Sequence, residues 1–240
     1  MYQDLQKYST ENHDWFSEYK WLKIYSIPWI HEKIFKEFLA LNPKKNCRIL
    51  ILWSWTWALD QRIVDSWFTN ITFSDFLSKN YKAKWTNFIQ FDLNTEKWNF
   101  WVFDYIFAIE VIEHLENQFH FIRSVKKCLK KDWYLFLSTP NITNQYSKAN
   151  FIVKWQLAHF AEINLNETWH ICIIAPHILL YNIKKNWFKI IKKTDEEKFK
   201  LKFTTKNLRT ILWYFIYKFL MIFLRWNKNQ IDIFILKNII

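Results

Sequence analysis

Apolar and polar positions along this chain switch repeatedly between two periods. Residues 28–41, PWIHEKIFKEFLAL, carry apolar side chains at helical spacing behind Pro28, which predicts a helix. A short continuous apolar run follows at 48–52, the segment WSWTW interrupts it, and 58–66 returns to helical spacing. Strand runs are predicted at 70–74, 87–91, 103–109 and 134–138, with helical stretches at 111–115 and 119–129. The pattern loosens after Pro140 and resumes with a helix over 176–185, a strand over 188–193, an apolar helix over 211–224 and a last strand over 231–236. Short, continuously apolar strands alternating with helices predict an α/β fold: a doubly wound, mostly parallel seven-stranded sheet covered on both faces. One domain is expected over 1–240. It comprises a helical extension at 1–27, a core at 28–193, an apolar helical insertion at 194–229 and the closing strand at 230–240.

Composition changes that picture at one residue type. The chain has no glycine and 16 tryptophans, where ordinary usage of roughly 7% glycine predicts about 17 glycines. Many tryptophans stand where backbone geometry calls for glycine. Trp67 and Trp187 each follow a predicted helix and precede an apolar run, the C′ position that favours a left-handed residue. Trp133 takes the second place of an Asp-Gly-like turn, and Trp53, Trp55 and Trp57 alternate with small residues. Lys outnumbers Arg 29 to 5 and Ala falls to 8, the profile of an AT-rich gene. A UGA codon, glycine in one genetic code and tryptophan in another, connects the two anomalies. Most of the 16 are therefore expected to be glycine in the cell. Trp15, Trp21, Trp29 and Trp213 lie outside recognisable turns, and real tryptophans are expected among them.

Hydrophobic content of 51% with 23% charged residues excludes a disordered chain. The net charge of +12 comes from lysines spread along the sequence with only short pairs, so a nucleic-acid partner is not inferred. Cys47, Cys128 and Cys172 are far apart, which indicates neither a zinc site nor a disulfide framework. The polar N-terminus is unlike a signal peptide, and a cytoplasmic protein is expected.

Ligands of open parallel sheets bind beyond the carboxyl ends of the strands. The loop after the first strand must let a ligand approach the backbone, so it favours residues without Cβ. With glycine at 53, 55 and 57 this loop reads LGSGTGALDQR, a nucleotide-type loop. Asp75, 22 residues after Trp53, matches the carboxylate that accepts both ribose hydroxyls, and Asp92 could accept from an adenine amino group. Either aspartate alone could equally cap a helix or start a turn; in order, each at a strand end, they favour a ligand.

The segments ILILWSWTWALDQR, ITFSDF, FIQFDL, FDYIFAIEVIEHLEN and LKKDWYLFLSTPN together resemble the class I S-adenosylmethionine-dependent methyltransferases, nearest the quinone O-methyltransferase type that shares EVIEH and STPN. The resemblance covers about residues 28–193 and implies a Rossmann-like methyltransferase fold. It implies S-adenosyl-L-methionine as cofactor, held by Trp53, Ser54, Trp55, Thr56, Trp57, Asp75, Asp92 and Glu110. One departure is Ile51, where the family usually has an acid.

Methyl transfer needs alignment and often a base for the nucleophile's proton. Glu110 and His114 are the catalytic candidates; with Glu113 they fall on one face if a helix begins at the strand end. Two groups within the resemblance, the quinone O-methyltransferases and the terminal 2′-O-methyltransferases of small RNAs, look similar here; the metal-binding set implied is Glu110, Glu113, His114 and His170, for Mg²⁺ or another divalent cation. The alternative is that Glu113 is solvated and His114 only shapes the pocket. The apolar run 211–224, at 14 residues, is short of the ~20 needed to span a bilayer; it is expected either to be buried or to touch a membrane surface peripherally through 208–225. The expected reaction is O-methylation of a small or lipid-like acceptor. If the tryptophans are literal, three indoles fill the loop and the domain is instead a non-catalytic binding or scaffold protein. An NAD-binding oxidoreductase is disfavoured by EVIEH and STPN.

Overall fold

The structure, a computed structural model, describes residues 17–24, 26, 29–53, 58–76, 87–95, 97–99, 101–198, 208–223 and 229–240. Loop residues Ser54, Trp55, Thr56 and Trp57 lie outside the described residues. The described residues begin with a hairpin, β1 (Ser17–Tyr19) and β2 (Leu22–Ile24), within the stretch where the sequence predicts a helical extension. Tyr19 pairs with Leu22, so Lys20 and Trp21 form a two-residue turn, with Lys20 at φ 54°. Such turns are normally signalled by Asn-Gly or Asp-Gly. Here the left-handed place falls to Lys20, so no glycine marks the turn.

The doubly wound unit follows: α1 (Ile30–Ala40), β3 (Ile49–Leu52), α2 (Ala58–Asp65), β4 (Ile71–Asp75), β5 (Asn87–Gln90), β6 (Phe103–Ile109), α3 (Gln118–Cys128) and β7 (Leu129–Pro140). Then come α4 (Gln145–Lys154), α5 (Glu162–Glu167), α6 (Pro176–Lys185), β8 (Phe188–Lys198), α7 (Leu208–Phe223) and β9 (Asn229–Asn238). Seven strands form one sheet in the order β5-β4-β3-β6-β7-β9-β8, parallel from β5 to β7, with β9 antiparallel to both of its neighbours. The order reverses between β3 and β6, which puts the switch point beside the WSWTW loop.

Strand period explains the two cores. Ile49 and Ile51 of β3 point into a layer with Ile34, Phe35 and Phe38 of α1, whereas Leu50 and Leu52 point into the opposite layer with Phe121 and Ile122 of α3. Ile51, where the resemblance expects an acid, is thus a core residue.

Two predicted elements differ. The 111–115 helix is only a 3₁₀ turn at Ile112–His114, entered through Glu110 at φ 53°. Glu110, Glu113 and His114 therefore do not share one face of an α-helix. The tight turn expected at Asp132-Trp133 is a slip in the pairing of β6 with β7, with Asp132 at φ 68°, and the Trp133 ring lies edge-on against Tyr105 at 5.1 Å.

Eleven described residues have φ between 51° and 76°, and six of them are tryptophan: Trp29, Trp53, Trp67, Trp155, Trp169 and Trp187. Trp67 and Trp187 do stand beyond the ends of α2 and α6, as the sequence predicts. Trp29, assigned to no turn from sequence, is the left-handed residue that opens α1.

Candidate active site

Three strand ends build one cleft. Trp53 ends β3, Ser74, Asp75 and Phe76 end β4, and Phe91, Asp92 and Leu93 follow β5, and together they line about 220 Å³ of space. Loop-to-strand hydrogen bonds fix this edge: the Trp53 N–H donates to the Ser74 carbonyl at 2.7 Å and the Phe91 N–H to the Asp75 carbonyl at 2.9 Å. Trp53, Asp75 and Asp92, separated by up to 39 residues of sequence, thus meet at the switch point. Asp75 is buried. One Asp92 oxygen accepts from the Asn94 N–H at 2.9 Å, so Asp92 also starts a turn. The hydroxyl of Ser74 is buried with no hydrogen-bond partner.

The second group gathers after β6 and β7. Glu110 is half-buried; its N–H donates to Ser138 Oγ at 3.0 Å and Ser138 Oγ donates to its Oε1 at 2.8 Å. Burial pushes its carboxyl up to about 7, against the Ser138 hydrogen bond, which favours the charged form. Glu113 is fully buried; Thr139 Oγ1 donates to its Oε2 at 3.2 Å, while its Oε1 has no partner. Burial first, and the Glu110 charge second, raise it well above the usual carboxylate range.

Three imidazoles complete the cluster. His114 Nδ1 donates to the Trp169 carbonyl at 3.1 Å, and His170 Nδ1 donates to the His159 carbonyl at 2.7 Å. A carbonyl only accepts, so Nδ1 carries the proton in both rings and Nε2 keeps a lone pair when the ring is neutral. Burial holds His114 and His159 down to about 4. His170 is lower still than its usual value, from burial and then from the neighbouring His114 and His159. All three are neutral at pH 7. One donor atom each from Glu113, His114 and His170 lies within 4.8 Å of the others.

Of the residues selected from sequence for metal, Glu113, His114 and His170 come together in this way, while Glu110 is engaged by Ser138 beside them. His159 was not foreseen: it sits on a loop between α4 and α5 with no motif around it, and its buried Nε2 has no hydrogen-bond partner. Ser138 and Thr139 belong to the STPN run, whose value in sequence lay in the resemblance and not in any visible chemistry.

One side chain joins the two groups. The Trp53 ring, which lines the cleft, also stands 5.2 Å from the His114 ring and 6.3 Å from the Trp169 ring. The ring thus stands between the cleft and the buried imidazoles.

A family described as a methyltransferase domain matches residues 31–185. No curated protein matches the chain. Its fold is similar to that of the N-methyltransferase NodS from Bradyrhizobium japonicum WM9 in complex with S-adenosyl-L-homocysteine, with TM-score 0.59 and 10% identity over 99% of this chain and 97% of that one. It is also similar to a SAM-dependent methyltransferase from Archaeoglobus fulgidus, with TM-score 0.54 and 16% identity over 86% and 94%. A third is an S-adenosylmethionine-dependent methyltransferase from Mesorhizobium loti, with TM-score 0.51 and 12% identity over 85% and 96%.

Proposed function

The chain belongs to the methyltransferase-domain family, and from that premise we propose that it is an S-adenosylmethionine-dependent enzyme that methylates a hydroxyl oxygen of a small, lipid-like acceptor. The observation that carries the reading is the adjacency of the cleft and the acid–imidazole cluster on either side of the Trp53 ring. Asp75 would accept from the ribose hydroxyls and Asp92 from the adenine amino group. The acceptor oxygen forms its bond to the methyl carbon as the carbon–sulfur bond breaks, and the oxygen's proton must leave to a base. Glu110 fits that role best, because a base near neutrality combines an available lone pair with enough driving force. His114, neutral and fixed by the Trp169 carbonyl, positions the acceptor.

The lipid-like character rests on α7. Leu208, Leu212, Phe215 and Phe219 are exposed and recur at helical spacing along it. From Lys198 to Gln230 the chain has eight Lys and Arg residues and no Asp or Glu. An apolar stripe set in positive charge suits the surface of an anionic bilayer. Among the described residues no helix is long and apolar enough to cross a membrane, so contact would be peripheral.

A second reading concerns a divalent cation. The orphaned Glu113 Oε1 beside two neutral imidazoles is a fitting donor set. A cation held by Glu113, His114 and His170 would lower the pKa of an accepting hydroxyl.

One assay tests all three parts. Protein with a glycine-bearing loop is given methyl-labelled S-adenosylmethionine and a cell lipid extract on anionic or neutral vesicles. The expected product is an O-methyl lipid formed faster on anionic vesicles; label on nitrogen or carbon, or none, overturns the acceptor reading. Activity that survives chelation and stays flat with added Mg²⁺ or Mn²⁺ removes the cation.

A further inference from the structure

We propose that the functional polypeptide has glycine where Trp29, Trp53, Trp67, Trp155, Trp169 and Trp187 are written, and that glycine at 53 and 169 opens the cofactor cleft. Tryptophan is one residue in 15 of this chain. Chance would therefore put fewer than one among the eleven left-handed residues, where six are found. Three of the other five are Asn42, Asp132 and His159, types that tolerate this region. Tryptophan has no such tolerance, since its Cβ meets the following carbonyl.

Each of the six does a glycine's work. Trp155 caps α4 at φ 59°, ψ 25°, its N–H donating to the Phe151 carbonyl at 2.8 Å. Trp67 and Trp187 donate to the Val64 and Lys184 carbonyls in the same way past α2 and α6. Trp29 turns the chain into α1 at φ 76°. Nor does burial compensate: Trp67 and Trp155 are 79% exposed, Trp29 is 62% exposed and Trp187 58%. An indole left mostly in water, Trp155 with only an edge contact to Phe151, gives back little of the cost of its backbone.

Trp53 and Trp169 are inside, and there the effect is on binding. The cleft's 220 Å³ includes open solvent and leaves no enclosed room even for a water-sized molecule. The Trp53 indole stands between the cleft and His114, with Trp169 behind it. Glycine at both joins cleft and cluster into one cavity and bares the backbone at the end of β3 to the ligand. This opening rests on the cofactor reading above, whereas the left-handed backbone does not.

Intact mass and peptide sequencing of the protein purified from its own cells decide the identity of the residues. The expected mass lies below 30.0 kDa by at least six indole-bearing side chains, with glycine in the peptides spanning 53 and 169. A mass of 30.0 kDa with tryptophan there overturns the inference. In parallel, S-adenosylhomocysteine is titrated calorimetrically into the chain as written and into a Trp53→Gly, Trp55→Gly, Trp57→Gly, Trp169→Gly variant. About 100-fold tighter binding by the variant is expected, a difference of about 2.7 kcal/mol. Glycine by mass with no binding by either form upholds the residue assignment and defeats the cofactor reading. Should this variant fold poorly, native protein bearing glycine by mass takes its place in the titration.

Discussion

At the ends of β3, β4 and β5, Asp75 and Asp92 are in position but an indole fills the space between them and the cluster. Beyond it, after β6 and β7, Glu110, Glu113, His114 and His170 sit in defined hydrogen bonds, Glu113 and His114 buried and the other two half-buried. The two regions differ in what they need from sequence. The cluster works through side chains, and every one of them is written in the chain. The cleft works through bare backbone and the absence of Cβ atoms, which only glycine supplies. On the reading proposed above, an indole at 53 therefore leaves the side chains of the cluster in place and closes the cleft.

The largest effect that tests this division lies in the cluster. In glycine-bearing enzyme, Glu110→Gln removes a base and is expected to lower kcat by roughly 10²–10⁴-fold with S-adenosylhomocysteine affinity changed less than about threefold. His114→Ala should lower kcat as well, with a larger rise in acceptor KM if it positions the acceptor. Loss of cofactor binding in either variant, read by calorimetry, would place these residues on the cleft side and break the division.

A smaller effect is expected far from the site. Trp67→Gly, Trp155→Gly and Trp187→Gly together should stabilise the chain as written by about 3 kcal/mol, at about 1 kcal/mol per relieved left-handed residue. For a chain of this size that corresponds to a rise in Tm of roughly 10 °C. An unchanged or lowered Tm in differential scanning calorimetry would mean that these backbones carry no strain, and that the contrast between bare and covered backbone is confined to the cleft.

The same contrast separates what could be read in the sequence from what could not. Strands β3, β4, β6 and β9 were legible because a sheet covered on both faces demands predominantly apolar runs, and ILIL, and IDIFIL with its single Asp232, supply them. Trp67 and Trp187 were legible through the helices they follow. The Lys20-Trp21 turn was not, since a two-residue hairpin announces itself through glycine and here Lys20 takes the left-handed place. Glu110, Glu113 and His114 were found by spacing, yet the helix assumed for them is a 3₁₀ turn reached through a left-handed residue. They converge through tertiary contacts with Ser138, Thr139 and the Trp169 carbonyl, which no periodicity reports. His159 enters only through the carbonyl it offers His170.

The least disruptive test uses an imidazole outside both regions. His31 lies on α1, where burial and then the Arg62 charge hold it down to about 3. It folds neutral, whereas the unfolded chain takes up a proton below about 6.5. Stability from this group is therefore full above pH 6.5 and is lost as pH falls toward 3, with a slope of about 1.4 kcal/mol per pH unit. Between pH 7.5 and 5 His31 alone should account for about 2 kcal/mol of destabilisation, measured as the fall in unfolding free energy in urea. His31→Gln should remove that share while leaving the acid sensitivity contributed by His114, His159 and His170, all lowered by burial. If the variant instead flattens the whole acid limb, the three site imidazoles are not buried neutral in solution, and the cluster is more open than its hydrogen bonds imply.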